Sequence, residues 1–319
     1  ILLKYKAMEG FSAHYQNGFD AQGLWVEVET EKQLGLKDKT DIVKFGLANF
    51  TEACIERVKK YSSIITEQSK RLGQMMDWEH SYFTNSDENI TSIWYFLKLC
   101  YEKGWLVEKH RPMPWCSHCG TSLSEHELAD SYLDMEHEAV FFKLPIKNSE
   151  MSILVWTTTP WTLSSNVAVA VNPEFEYSVC KVKSTDRKLI VCSSCEKVLK
   201  DDLVKVEKRV PGSELVGLEY ETCFPKLTKQ NFVHKIVAWD LVDSTEGSGA
   251  VHIAPGCGVE DFELGNSLGL KIISPVDENG VFYDDFDFLA GRNANDVAPL
   301  VFEKLKADDK LYYTHKYSH

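Results

Sequence analysis

Residues 154–166 read LVWTTTPWTLSSN, an apolar run that ends in three threonines and a proline. A short apolar run bounded by such a breaker is typical of a buried β-strand. Pro160 biases the residue before it towards extended backbone, so Thr157, Thr158 and Thr159 are predicted to lie where the strand leaves its sheet. Because β-branched side chains are stiff about χ1, their hydroxyls would suit recognition of a small polar ligand or a water. On its own, however, the segment favours a simpler interpretation, a strand end without chemistry.

A second informative segment, residues 247–262, reads GSGAVHIAPGCGVEDF. It predicts a short strand carrying His252, then a glycine-rich turn, then acidic residues that open a helix. Acidic residues in the first turn complement the helix dipole, so helix capping is the simplest role for Asp261. Cys257 lies five residues after His252 and could suggest a thiol hydrolase. Adjacency in sequence is not catalytic geometry, and a cysteine in such a turn is usually a small packing residue.

Together the two segments resemble the editing domain of class Ia aminoacyl-tRNA synthetases. The resemblance is carried by the pattern TTTPWTLxxN from Thr157 and the pattern VHIAPGxGxxD from Val251. The isoleucyl branch is the most similar, because the valyl and leucyl branches typically have arginine at the position of Thr159. A valyl- or leucyl-type relative stays open as an alternative. Ser164 stands where proline is often found in the family.

The resemblance implies an α/β fold with a partial Rossmann-like catalytic domain piece, a zinc-ribbon half and a β-barrel-like α/β editing domain. We assign residues 1–110 to the catalytic piece, 111–132 to the zinc-knuckle half, 133–311 to the editing domain and 312–319 to a return towards the zinc ribbon. Linkers are expected near residues 130–136 and 308–311.

Periodicity predicts the elements of these parts. A long amphipathic helix is predicted from apolar residues at helical spacing, Phe50, Cys54, Val58, Tyr61 and Ile65. Ser86 is a plausible start of a further helix and Gly104 its end. Beyond residue 136, short strands with frequent turns predict a closed or partly closed β-barrel. The predicted strands are 140–144, 152–156, 167–171, 177–182, 188–192, 204–210 and 232–238, and the predicted helices are 196–202, 259–268 and 293–307.

The activity that the resemblance implies is hydrolysis of valine misattached to tRNA(Ile). A pocket for isoleucine discriminates against valine by only about 1–3 kcal/mol for one methylene, for which the isoleucyl enzymes are the standard example. Ester hydrolysis requires an oriented water and stabilisation of the developing oxyanion.

The resemblance also assigns roles to single residues. Asp261 would bind the α-ammonium group of the misattached amino acid through a charge-assisted contact. Thr157, Thr158 and Thr159 would supply hydroxyls for the terminal ribose and the water, so we expect these hydroxyls and the Asp261 carboxylate to converge on one cavity. Two further residues would line the pocket, Trp161 and Asn166. For His252, proton transfer and a role as pocket wall both stay open.

Asp20 lies in the segment GFDAQGLWVE, residues 18–27. The resemblance implies that Asp20 pairs with the amino group of the cognate amino acid, isoleucine, whereas by itself it would be a turn residue bonding its own backbone. Gln22 and Trp25 depart from the family, in which histidine and proline are common there. The chain contains neither ATP-binding signature of the family, so we expect ATP and Mg²⁺, and the joining of isoleucine to tRNA(Ile), only in the intact enzyme.

Cys116 and Cys119 form a Cys-x-x-Cys knuckle followed by glycine, which is half of a zinc site. The other half could come from Cys192 and Cys195, a second Cys-x-x-Cys in this chain. The resemblance instead implies that the remaining ligands lie beyond His319.

Charge and composition limit the class of protein. The apolar share is 44% and no apolar run has membrane-spanning length, so no membrane partner is expected. The net charge of −13 argues against nonspecific binding of nucleic acid, and we expect only the acceptor end of tRNA(Ile) to enter. Nine cysteines suggest reduced thiols in a cytoplasmic protein, which we expect to be a monomer.

Three hypotheses follow from these observations. The first is the editing hydrolase, and the second is a zinc-stabilised tRNA-binding module with an inactive pocket. A freestanding editing factor is the third, but the start at Ile1 without methionine and the end within HKYSH lead us to expect a piece of a longer protein.

Overall fold

The computed structural model describes residues 1–129, 132–225, 227 and 232–318. The chain divides into two compact units, Ile1–Lys109 and His110–His319. The linker predicted at 130–136 includes Asp130 and Ser131, and the predicted return segment includes His319; these three residues lie outside the described ones. No helix that the structure describes has both the length and the apolar character needed to cross a bilayer.

The first unit consists of helices around a short parallel pair of strands. Its helices are α1 Leu2–Met8, α2 Leu24–Leu34, α3 Lys39–Phe45, α4 Leu47–Arg71 and α5 Asp87–Glu102, and its strands are β1 Gln16–Phe19 and β2 Asp77–Phe83. Because β1 and β2 are parallel, they require a crossover connection, which α2, α3 and α4 supply. α4 is the predicted amphipathic helix, and Ser86 caps α5 by accepting the N–H of Asn89. The unit is therefore α/β, while its assignment as a Rossmann-like piece stays a prediction.

The second unit is built on one nine-stranded mixed sheet and a small hairpin. Its strands are β3 Trp115–Cys116, β4 Thr121–Ser122, β5 Glu136–Pro145, β6 Met151–Thr157, β7 Ala168–Val171, β8 Glu176–Val182, β9 Lys188–Cys192, β10 Leu203–Pro211, β11 Lys235–Ala238, β12 Ala250–Ile253 and β13 Leu311–Ser318. Its α-helices are α6 Glu125–Leu128, α7 Val259–Leu268 and α8 Ala298–Ala307, and its 3₁₀ helices are Pro160–Ser165, Ser193–Asp202, Gly212–Glu214, Asp284–Leu289 and Ala294–Asp296.

The sheet divides at β6, the strand that carries the apolar half of LVWTTTPW. One edge of β6 pairs antiparallel with β5. The other edge is shared by two parallel partners, since Ile153 pairs with Ile190 of β9 and Trp156 pairs with Val251 of β12. Leu154 and Val155 are fully buried, as expected for a strand covered on both faces. The sheet therefore splits and curls around β6.

A ring of strands closes within the curled sheet. β5, β6, β12, β7 and β11 are successive neighbours. Isolated bridges then join Lys235 of β11 to Glu219, and Tyr220 to Ile146 just after β5. The curled sheet agrees with the predicted barrel-like form, and the predicted strands of this unit are all present.

Three predicted elements differ from the structure. The predicted helix 293–307 is divided into the 3₁₀ turn Ala294–Asp296 and α8, because Pro299 is tolerated only in the first turn of an α-helix. The predicted helix 196–202 is 3₁₀ and contains Lys200 at φ 49°. β11 begins at Lys235 rather than at residue 232.

β13 was missed as a strand by the sequence prediction. Leu311–Ser318 pairs antiparallel with β5, from Leu311 opposite Phe142 to Ser318 opposite Glu136. Residues 308–311, predicted as a linker, are instead the turn that joins α8 to a strand of the same sheet. Burial alternates along β13, with half-buried Tyr313, His315 and Tyr317 on one face. The sequence signal for a strand is nevertheless weak, because the segment mixes aromatic and polar residues rather than alternating apolar and polar ones.

Candidate active site

The carboxyl ends of β6 and β12 meet because the two strands are parallel neighbours. Thr157 ends β6, and His252 lies one residue beyond the paired Val251. Pro160 starts the 3₁₀ helix Pro160–Ser165, which turns the chain back so that Thr162 Oγ1 lies 2.9 Å from His252 Nε2. A side-chain hydrogen bond thereby joins the 3₁₀ helix that follows β6 to β12, the strand that carries His252.

Hydroxyl groups connect the threonines to this histidine. Thr157 Oγ1 accepts the N–H of Thr159 at 3.1 Å and lies 3.3 Å from Thr159 Oγ1. Thr159 Oγ1 in turn lies 3.5 Å from Thr162 Oγ1. Sequence reasoning overlooked Thr162, although a threonine three residues after Thr159 is in register with it on a 3₁₀ turn.

The protonation of His252 follows from the direction of these bonds. The Thr162 hydroxyl donates to the carbonyl oxygen of Thr159 at 2.8 Å, and a hydroxyl has one hydrogen to give. Its oxygen therefore accepts from His252, which assigns the Nε2–H tautomer. Nδ1 is buried without a hydrogen-bond partner among the described residues. Burial lowers the pKa of His252 to about 4, so the imidazole is neutral at pH 7.

Thr158 differs from the threonines on either side of it. Its side chain makes no hydrogen bond within the described part of the chain, and it lines a cavity of about 480 Å³ with Thr159 and Trp161. Trp161 also borders a second cavity, of about 490 Å³, whose lining includes Cys257. A hydroxyl that faces a cavity and has no protein partner is available to a ligand.

Asp261 is the third residue of α7, and one of its oxygens holds the turn after β12. Oδ2 accepts the N–H of Ala254 at 2.7 Å, and burial raises the pKa of the carboxyl. Oδ1 accepts no hydrogen bond from the residues that the structure describes. Asp261 is not among the residues that line the Thr158 cavity; it interacts electrostatically with Cys257, which borders the second cavity. The convergence of threonines and carboxylate on one cavity, expected from the sequence, is therefore not observed.

Asn166 was expected to line the pocket, and its geometry does not fit that role. Its side chain is 1% exposed, with Nδ2 donating to the carbonyl oxygen of Ala168 at 2.8 Å and Oδ1 accepting from the Tyr220 hydroxyl at 2.7 Å. Both ends of the amide are thus used inside the barrel, where they join the end of Pro160–Ser165 to the segment that closes the ring.

Tyr220→Phe is expected to lower the free energy of unfolding by about 1–3 kcal/mol, because it leaves the buried Asn166 Oδ1 unpaired while preserving the ring. Urea unfolding of the purified protein measures this loss. Tyr283→Phe, at an exposed tyrosine of the same unit, serves as the control and should leave stability nearly unchanged. Equal stabilities of the two variants would contradict the assigned role of Asn166.

Comparison with known proteins places the chain in a family. The family model of the class I tRNA synthetases (I, L, M and V) matches residues 1–263. The chain belongs to the class I tRNA synthetases. The isoleucine–tRNA ligase of Clostridium novyi (strain NT) is 37% identical to this chain over 321 residues, and the match covers 100% of this chain and 31% of that protein. The isoleucine–tRNA ligase of Pyrococcus furiosus is 37% identical over 338 residues, and the match covers 100% of this chain and 32% of that protein. This synthetase chain thus spans about a third of the length of those relatives.

A solved structure also overlaps with the synthetase chain. The editing domain of P. knowlesi cytosolic leucyl-tRNA synthetase covers 59% of this chain and 98% of its own, with 12% identity and a TM-score of 0.43. An overlap of that quality does not define a fold by itself.

Asp20 of the synthetase lies in the first unit, directly after β1. Oδ1 accepts the N–H of Gln22 at 3.2 Å and the hydroxyl of Thr84 at 3.3 Å, so the turn role predicted from the sequence is present. Asp20 also lines a cavity of about 380 Å³ with Trp25 and Arg57. Its proposed contact with an amino group stays a prediction.

The cysteine pairs of the synthetase do not come together. Cys116 and Cys119 lie at the β3–β4 hairpin, where Cys116 Sγ accepts the N–H of Cys119 at 3.3 Å. Among the described residues, no three His, Cys, Asp or Glu side chains are grouped as metal ligands. Cys192 and Cys195 lie instead at the end of β9 and the start of the following 3₁₀ helix, so the described residues do not bring that pair to the knuckle.

Cys257 shows no sign of a nucleophile. Burial raises the pKa of its thiol to about 12, and the only ring nitrogen of His252 with a described partner faces Thr162. A thiol that stays protonated and has no base is not activated.

Proposed function

We propose that the second unit hydrolyses the ester of a mischarged aminoacyl-tRNA, with valine on tRNA(Ile) as the substrate. The observation that supports this most directly is the hydroxyl of Thr158, which lines a cavity just beyond the end of β6 and has no hydrogen-bond partner among the described residues. Family membership and the similarity to isoleucine–tRNA ligases support tRNA as the carrier. The whole protein would join isoleucine to tRNA(Ile) with ATP.

In the proposed reaction, Thr158 and Thr159 bind the terminal ribose and a water beside the ester. Hydrogen bonds to Thr157 and Thr162 hold the Thr159 hydroxyl in place before substrate binds. Donors that are already oriented need no reorganisation as charge develops in the transition state.

Neutral His252 has a positioning role in this proposal. Since its pKa is about 4, it has no acidic proton to give to the leaving ribose at pH 7. It donates to Thr162 and thereby fixes the 3₁₀ turn that carries Trp161. The attacking water would lose its proton to solvent rather than to this imidazole.

Asp261 would bind the α-ammonium group through Oδ1, since Oδ2 is held by Ala254. The carboxylate interacts electrostatically with Cys257, which borders the second cavity together with Trp161, so the amino acid would extend past Trp161 from the threonine cavity. A charge-assisted contact at that end would set the position of the ester bond.

We also propose that Cys116 and Cys119 hold zinc. The two cysteines lie on one hairpin turn, where Cys116 Sγ accepts the N–H of Cys119, and cysteine sulfur is a common zinc ligand. Zinc prefers four ligands, and two thiolates supply half of them. The metal would order the β3–β4 hairpin and has no part in the hydrolysis.

The experiment is deacylation of Val-tRNA(Ile) by the purified protein and its Thr158→Val variant. The substitution keeps the shape and removes the hydroxyl, so kcat/KM should fall about 2- to 13-fold, as the loss of a neutral hydrogen bond of about 0.5–1.5 kcal/mol predicts. Unfolding stability should not change, since that hydroxyl has no described partner.

Thr314→Val, at an exposed threonine of β13, is the matched control and should retain full turnover. Unaltered turnover in Thr158→Val would contradict the role of Thr158. A wild-type protein that binds tRNA but hydrolyses no mischarged species would reject the proposed activity in favour of an inactive tRNA-binding module.

A further inference from the structure

Cys192 and Cys195 lie together at a strand-to-helix junction outside the candidate active site. Cys192 ends β9 and is the N-cap of the 3₁₀ helix Ser193–Asp202, of which Cys195 is the third residue. Cys192 Sγ lies 3.3 Å from the Ser194 hydroxyl, and the same hydroxyl lies 4.0 Å from Cys195 Sγ, so the two thiols flank one side chain at the junction. Cys-x-x-Cys at a helix N-terminus is a setting for thiol–disulfide chemistry.

The surroundings make the two sulfurs unequal. The neighbouring Cys195 side chain, together with the N–H groups of Ser194 and Ser193, lowers the pKa of Cys192 below its ordinary value. The same interaction raises the pKa of Cys195. Cys192 is therefore the more acidic of the two thiols. By contrast, burial raises the pKa of Cys180 to about 11.

The segment 244–249 packs directly on this pair. The Cys195 thiol donates to the carbonyl oxygens of Ser244 at 3.2 Å and Glu246 at 3.9 Å. The N–H of Cys192 donates to the carbonyl oxygen of Ser248 at 2.9 Å. Gly249 is so close that an added Cβ would lie 2.2 Å from the Cys192 Cβ. The next residue begins β12, which carries His252.

We propose that Cys192 and Cys195 are a redox-active pair that closes to a disulfide with a peroxide as the oxidant and thereby loosens the segment 244–249. Both thiols are buried, so a small oxidant is the class that can reach them. This inference does not depend on the proposed function.

The reaction balances in two steps. The Cys192 thiolate attacks one peroxide oxygen, the O–O bond breaks, and hydroxide leaves a sulfenic acid on Cys192. The Cys195 sulfur then attacks the sulfenic sulfur, the S–S bond forms, and the Cys195 proton leaves with the hydroxyl group as water. Two thiols are oxidised, and the peroxide is reduced to two waters once solvent protonates the hydroxide. Cys195 no longer has a hydrogen to donate to Ser244 and Glu246.

The test is mass spectrometry of tryptic peptides after hydrogen peroxide treatment and alkylation of the remaining thiols. Both cysteines lie in peptide 189–197, since trypsin cuts after Lys188 and Lys197. The expected result is loss of two hydrogen atoms from that peptide, reversed by dithiothreitol. Cys180→Ser should still form the disulfide, whereas in Cys195→Ser the peptide should gain oxygen instead. Alkylation of both cysteines in the oxidised wild-type protein would overturn the proposal.

Hydrogen exchange tests the second half of the proposal. Backbone amides of residues 244–249 should exchange about two- to fivefold faster in the oxidised protein, since the disulfide removes a donor to two of their carbonyls. Amides of α4, in the first unit, should be unaffected. A disulfide that forms without any change in exchange at 244–249 would contradict the link to this segment.

Discussion

Asp261→Asn is expected to lower kcat/KM for hydrolysis of Val-tRNA(Ile) by about 10- to 100-fold, since a hydrogen bond to a charged group contributes about 1.5–3 kcal/mol. The asparagine side-chain oxygen can still accept the N–H of Ala254, which Asp261 Oδ2 binds at 2.7 Å. The turn after β12 should therefore survive, and the loss should come from the missing negative charge. Steady-state deacylation together with a urea unfolding curve separates these two effects.

Glu260→Gln is the matched control for this prediction. It removes the same charge one residue earlier on α7, from a side chain that is exposed, and should change kcat/KM little. Asp261→Ala removes both the charge and the acceptor, so it should lose activity and stability together. If Asp261→Asn and Glu260→Gln turn over substrate equally fast, Asp261 does not bind the ammonium group.

The pH dependence of the same reaction independently tests whether the Asp261 carboxylate binds the ammonium group. Burial raises the pKa of this carboxyl above its ordinary value. As the pH falls, the carboxyl is protonated and its attraction for the ammonium group is lost. The acid limb of kcat/KM should therefore lie at a higher pH than an exposed aspartate would give, and it should be absent in Asp261→Asn.

The second large effect is a loss of stability at mildly acidic pH that originates in His252. Its pKa is about 4 in the folded protein, against about 6.5 when unfolded. Between these values the unfolded chain binds a proton that the folded protein does not. The free energy of unfolding should therefore be at its full value above pH 6.5 and decrease as the pH falls towards 4. A shift of this size corresponds to a decrease of up to about 3 kcal/mol.

His252→Gln isolates this contribution. The glutamine amide can replace the Nε2–H donor to Thr162 but does not titrate. Carboxylates and other histidines titrate in both proteins, so their effects cancel in the difference between the two stability curves. Urea unfolding from pH 7 to pH 4 should show the wild type losing stability relative to the variant. Parallel curves over this range would show that His252 is not buried in its neutral form.

Local patterns were sufficient for much of the fold. The apolar run before Thr157 predicted β6 because a short buried strand needs apolar residues on both faces. Helical spacing around Phe50 predicted α4, and Ser86 predicted the start of α5, because an N-cap is a contact within three residues. The Cys116–Cys119 turn was likewise evident from its spacing. These features depend on residues close together in the chain.

The site depended on contacts between residues far apart. Thr162 and His252 are separated by 90 positions and meet only because β6 and β12 are parallel neighbours. Asn166 became a core residue through Tyr220, 54 positions away, and no property of its own segment indicates that partner. Asp261 is held at the turn after β12 by the N–H of Ala254, and it does not line the Thr158 cavity.

The sequence was therefore enough to predict the strand ending in threonines, the histidine strand, the family resemblance and the candidate residues. Only the tertiary structure decided that Thr158 is available while Thr157 and Thr159 bind each other, and that β13 completes the sheet. The physical reason is that periodicity and turn chemistry act over a few residues, whereas the pairing of strand edges and burial of side chains are settled by packing of the whole unit.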